Sequence, residues 1–134
     1  MIHTLSIPQC NPAEFDKVYL IVRSISILEK RKDKILDSAE QLACLSPSKK
    51  LFFQYRDWVK EGNWNLDIFN DKYVPWFLRD ISTDKEAQEW LDRLAAEEKD
   101  NKIALLCFCK DKALCHRTII GKLLADRGCN VIID

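Results

Sequence analysis

The 134 residues suffice for one hydrophobic core and fall short of two ordinary domains, so a single domain over 1–134 is expected. Apolar residues make up 47% and charged residues 31%, a globular balance that excludes a disordered chain. Basic and acidic residues number 21 each, so no bulk charge draws the chain to duplex DNA or to an acidic membrane, and only a local cluster could hold an anion.

The opening "MIHTLSI" reads as a short strand. It carries neither the basic region nor the apolar core of a secretion signal, and no apolar run of about 18 residues occurs anywhere, so a cytoplasmic chain without a membrane segment is expected. "KVYLIVRS" (17–24) is apolar on both alternating faces, the mark of a strand covered on both sides, usually in a parallel sheet. "EKRKDKILDSAEQLACL" (29–45) then sets Ile35, Leu36, Ala39, Leu42 and Ala43 at helical spacing and predicts a helix.

Ser46 and Pro47 offer a capping hydroxyl and a first-turn proline to a helix over "PSKKLFFQYRDWVKEG", stopped near Gly62. Pro75 inside "NLDIFNDKYVPWFLRDI" predicts two short helical pieces or a kink. Thr83 and Glu86 form a capping box ahead of "AQEWLDRLAAEEK". "KIALLCFC" (102–109) is a second strand apolar on both faces. A last helix runs from near Cys115 to Gly128, and "NVIID" ends the chain as a short strand.

This order predicts an α/β fold, a three-layer Rossmann-like single domain with a small, mainly parallel sheet flanked by helices. Ligands of such sheets gather at the carboxyl ends of the strands. Two loops qualify, one after Arg23 and one after Cys109.

Six cysteines without a secretion signal are expected to be free thiols, with Cys10, Cys44 and Cys129 behaving as small buried hydrophobes. Cys115, His116 and Arg117 differ, because they open a helix. A helix N-terminus presents unpaired N–H groups and partial positive charge, which favour a thiolate or a bound anion. Cys115 is therefore a candidate nucleophile or redox thiol and His116 a proton carrier. Arg117 supplies a fork for an oxyanion, with Lys110 adding charge.

The spacing is not that of a cysteine phosphatase, whose arginine lies closer to its cysteine. Cys107, Cys109, Cys115 and His116 make a zinc set on paper, but a Cys-x-Cys pair along a strand is not the usual metal knuckle, so no metal and no other cofactor is expected. Trp58, Trp64, Tyr73, Trp76 and Phe77 are candidates to stack a base or sugar.

"ALLCFCKDKALCHRTIIGKLLADRG" resembles the signature of the DUF488 family, small α/β proteins with a Leu-Leu-Cys strand, a charged loop and Cys-His-Arg opening the last helix. "YLIVRS", "LSPSKKLF", "KYVPWFLRDI" and "AQEWLDRL" follow the family's order, so the resemblance runs from about Val18 to the C-terminus. It implies that the characteristic residues are Arg23, Ser46, Pro47, Ser48, Lys49, Tyr73, Cys107, Cys115, His116 and Arg117. Where many relatives carry an acidic residue after Leu-Leu-Cys, this chain has Phe108 and Cys109.

The expected function is binding of a phosphorylated or nucleotide-like ligand at the Cys-His-Arg helix start, with transferase or hydrolase chemistry on that ligand as the enzymatic form. Cys115 and His116 are the expected catalytic residues, and Arg117, Arg23, Ser24, Lys110, Ser48, Lys49, Tyr73 and Cys107 the expected ligand-binding ones. A non-catalytic ligand-sequestering or protein-interaction module and a zinc-stabilised domain are the alternatives. A protein partner or homodimer is compatible with the sequence, whereas direct duplex DNA binding is not expected.

Overall fold

Five strands pair in parallel throughout: β1 (Ile2–Ser6), β2 (Lys17–Leu20), β3 (Ala39–Gln41), β4 (Ile103–Cys107) and β5 (Val131–Ile133). A computed structural model describes residues 1–134. The strand order is β3-β2-β4-β1-β5, so β4 lies in the middle, and all five of its residues are buried. That position explains why "IALLC" is apolar on both faces.

Six helices flank the sheet: α1 (Ser26–Lys30), α2 (Lys49–Lys60), α3 (Leu66–Ile68), α4 (Val74–Thr83), α5 (Lys85–Glu97) and α6 (His116–Asp126). The architecture is the three-layer, Rossmann-like α/β fold. No helix is long and apolar enough to cross a membrane.

The helix expected over 29–45 is absent. In its place stand the end of α1, a 3-10 turn at Lys34–Asp37, strand β3 and a second 3-10 turn at Ala43–Leu45. Lys32 breaks the helix with φ +52, and the Asp33 carboxylate accepts from the Ile35 N–H at 3.0 Å, restarting the chain in a tighter turn. Ala39–Gln41 then gains ladder bonds to β2. The helical spacing of apolar residues there is the coincidence of several short elements meeting one core.

Two boundaries also differ. Asp84 caps α5, accepting from the Ala87 N–H at 3.1 Å, while Thr83 donates back to Arg79 and closes α4 instead of forming a capping box. Pro75 does divide its region: α3 passes through a π-turn at Phe69–Tyr73 into α4, where Pro75 occupies the first turn and needs no N–H partner. π-turns inside helices recur at functional sites. Gly128, at φ +90, stops α6 as expected.

The chain leaves β2 toward β3 on one side, and leaves β4 through α6 toward β5 on the other. Divergence of neighbouring connections opens a crevice at the carboxyl ends of β2 and β4.

Candidate functional site

That crevice is a cleft of about 450 Å³. Its rim is the segment after β2. Arg23, Ser24 and Ser26 are all exposed there, and the two serine hydroxyls lie 2.8 Å apart. The loop is held from both sides: Gln41 donates to the carbonyls of Val22 and Arg23 at 3.0 Å each, and Arg23 Nε donates to the Pro47 carbonyl at 2.9 Å. Arg23 itself is exposed where this cleft meets the neighbouring groove.

One wall is aromatic. Phe52 and Tyr55, one helical turn apart on α2, have ring centroids 6.4 Å apart with planes tilted by 32°, and Phe108 lines the cleft as well. Tyr73, placed by the π-turn, closes the cleft below Tyr55, 6.4 Å from it between centroids. Burial raises the Tyr73 and Tyr55 hydroxyls above the ordinary phenol range, so both stay protonated donors at neutral pH.

The floor is built by the end of β4 and the start of α6. His116 is buried, and its Nε2 lies 2.6 Å from the Ile21 carbonyl. A carbonyl oxygen only accepts, so Nε2 carries the hydrogen that this contact uses. Nδ1 is 3.9 Å from Cys115 Sγ.

Three thiols meet beside it. The sulfurs of Cys107, Cys109 and Cys115 all lie within 4.8 Å of one another, with Cys107 and Cys115 at 2.8 Å. Hydrogen bonds from Cys109 and then Cys115 hold the Cys107 thiol well below the ordinary thiol range, against the effect of burial. The same bonds to Cys107 push Cys115 and Cys109 upward. Of the three thiols, the arrangement favours the charged form of Cys107.

Two expected side chains do not face the cleft. Cys115 is 1% exposed, because its extended N-cap backbone turns the sulfur inward to Cys107. Its sulfur lies behind the cleft lining, which Cys107 and Cys109 supply. Arg117 is also 1% exposed: Nη1 donates to the Cys109 carbonyl and lies 3.9 Å from Cys107 Sγ, and Nη2 donates to the main-chain oxygen of Asp134 at 3.0 Å. Its fork clamps the loop after β4 to the end of β5 and is not an open anion fork.

Three further residues lie elsewhere. Ser48 caps α2, accepting from the Leu51 N–H at 3.2 Å and donating to Asp80 at 2.7 Å, which occupies its hydroxyl. Lys49 and Lys110 are exposed and outside the cleft lining. Among the expected stacking residues only Tyr73 lines the cleft; Trp58 and Trp64 stack on each other at 6.0 Å and Phe77 is fully buried.

The structure brings Arg23, Ser24, Tyr73, Cys107 and His116 together and adds Ser26, Phe52, Tyr55 and Cys109. The i, i+3 spacing of Phe52 and Tyr55 was the available signal for that wall. A wider groove of about 650 Å³ beyond Arg23 is lined by Glu40, Asp84 and Glu86, whose charge disfavours an anion.

A family model described as DUF488-N3a, the active DUF488-N3 subclade, matches residues 11–128. The chain belongs to the DUF488 family. No curated protein and no solved structure matches it. The DUF488 match spans all the cleft residues named above, from the loop after β2 to the first turn of α6.

Proposed function

We propose that this DUF488 chain binds a phosphorylated, nucleotide-like small molecule in the cleft and acts on it as a transferase or hydrolase in the cytoplasm. The observation that carries the reading is the division of the cleft into three chemistries. An exposed guanidinium with two hydroxyls stands at the rim, aromatic rings form a wall, and thiols with an imidazole form the floor. Arg23, Ser24 and Ser26 suit an anionic group. Phe52, Tyr55 and Phe108 suit a flat ring. His116 Nδ1 and the thiols of Cys107 and Cys109 are left for the reacting part of the ligand.

The description of the matching family as an active subclade supports catalysis over sequestration. Six free cysteines support a reducing compartment. A non-catalytic ligand binder is the second reading, favoured by the burial of Cys115, the thiol best placed at a helix N-terminus.

Calorimetric titration with AMP, a ribose phosphate and inorganic phosphate tests the binding reading. AMP should bind most tightly, because it alone offers both ring and anion. Arg23→Ala should weaken it by about tenfold or more, the effect of losing one charge-assisted contact. Failure of every probe to bind the wild-type chain counts against the reading. Binding without turnover of any nucleotide probe selects the second one.

A further inference from the structure

We propose that Cys107, Cys109 and Cys115 form a tripod for a zinc-class ion, with the fourth position open to the cleft. The three sulfurs lie within 4.8 Å of one another and come from three differently anchored places. Cys107 ends the central strand, Cys109 follows in the loop that Arg117 clamps, and Cys115 is the N-cap of the eleven-residue α6. Thiolates are the preferred soft ligands of zinc, and three protein ligands with one vacant position is the pattern of reactive zinc sites. The expectation against zinc rested on a Cys-x-Cys pair lying along an extended strand. The strand ends at Cys107, and the loop folds Cys115 back onto it.

Charge balance is compatible with the site. Three thiolates around a divalent ion leave one net negative charge. Arg117, sealed in the interior 3.9 Å from Cys107 Sγ, takes part in no ion pair with an acidic side chain. A metal held by thiolates would keep an anionic sulfur beside this buried cation, as the Cys107 sulfur already is at 3.9 Å. Its N–H groups also point at a ligating sulfur and at the loop carbonyl, the kind of outer contact that holds metal ligands in place.

The open side is defined by which sulfurs reach the cleft. Cys107 and Cys109 line it, and Cys115 sits behind them. His116 also lines the cleft beside the thiols, its Nδ1 3.9 Å from Cys115 Sγ and its Nε2 held by the Ile21 carbonyl. Zinc–sulfur bonds of about 2.3 Å imply sulfurs about 3.8 Å apart, so Cys107 and Cys115 must spread from 2.8 Å by side-chain rotation on binding. An ion there would polarise a phosphoryl or carbonyl oxygen of the bound molecule, a consequence that rests on the cleft reading above.

The test is metal analysis of the full chain purified under reducing conditions, followed by cobalt(II) titration of the metal-free protein. The expected result is one zinc per chain, and with cobalt the strong visible bands of a tetrahedral site together with sulfur-to-cobalt charge transfer. Cys109→Ser, a change at a half-buried loop residue, should lose the charge-transfer intensity from one sulfur and bind zinc more weakly while keeping the native circular dichroism. A metal-free wild-type chain that gives no sulfur-to-cobalt absorption overturns the proposal. AMP binding in such a chain would leave the cleft reading standing, and tight zinc without AMP binding would support the metal site alone.

Discussion

His116 Nε2 donates to the carbonyl of Ile21 across 2.6 Å, joining the first residue of α6 to the chain just beyond β2. This bond pins the start of α6 to the chain leaving β2 at the floor of the cleft. His116→Ala removes it, along with the His116 ring packed 5.8 Å from Phe77, and leaves the buried Ile21 carbonyl unpaired, at a cost of about 2–3 kcal/mol. Urea denaturation of the variant measures that loss.

Arg117 and Arg23 should separate cleanly. Arg117→Ala deletes two main-chain contacts of a buried guanidinium and should cost roughly 3–5 kcal/mol, and Arg117→Lys should recover little because an ammonium cannot span both oxygens. Arg23→Ala, at an exposed position, should change stability by about 0.5 kcal/mol or less. Thermal or urea unfolding of the three variants checks the order.

In the reduced, metal-free chain, iodoacetamide should modify Cys109 ahead of Cys115. The difference follows from access: Cys109 is half-buried at the cleft, whereas Cys115 is 1% exposed and outside its lining. Peptide mass mapping at short reaction times reads the order of labelling.

Glu97 ties α5 to β2, accepting from Tyr19 at 2.7 Å, Arg93 at 2.9 Å and Lys17 at 3.3 Å. Burial alone would raise its pKa, but the bonds from Tyr19, Arg93 and Lys17 prevail and lower it. A carboxylate depressed by folding contributes stability above its unfolded pKa of about 4.3, and that contribution disappears as pH falls through the folded value. Glu97→Gln should therefore cost about 1 kcal/mol near neutrality, screening of the solvent-facing partners keeping the figure small. The gap from wild type should narrow below about pH 4, as urea midpoints at neutral and acid pH will show.

Gly121 lets α6 approach the sheet. A Cβ there would sit 3.3 Å from both Ile133 Cγ1 and Thr4 Cγ2. For Gly121→Ala the helix-propensity gain of about 1 kcal/mol offsets much of the overpacking, whereas Gly121→Val should destabilise by about 2 kcal/mol or more. Unfolding midpoints of the pair test the contact.

The fold was legible wherever one environment governed a whole element. β4 is buried along its full length, so its composition alone marked an interior strand, and its neighbour β2 carried the same two-sided pattern. Residues 29–45 were not legible in this way, because two 3-10 turns and the edge strand with its flanking Leu42 each contribute one or two apolar residues, and their sum imitates a helical stripe.

The site divided along similar lines. Adjacent parallel strands brought Arg23 and Cys107 to one crevice, as strand ends must. The orientation of Arg117 was not readable, since it depends on main-chain oxygens supplied by Cys109 and by Asp134 at the far end of the sheet. The pattern "KIALLCFC" predicts a strand through Cys109, which would hold the Cys-x-Cys pair extended. Ending β4 at Cys107 is what folds three thiols together.

The most direct measurement is an amide NMR spectrum of the labelled chain with and without AMP, repeated on Arg23→Ala. Saturable shifts should concentrate at Arg23 to Ser26, Tyr55, Cys109 and Leu114 to His116, and should require far more AMP in the variant. Absence of shifts in the wild type, or shifts confined to the groove of Glu40, Asp84 and Glu86, contradicts ligand binding at the carboxyl ends of β2 and β4.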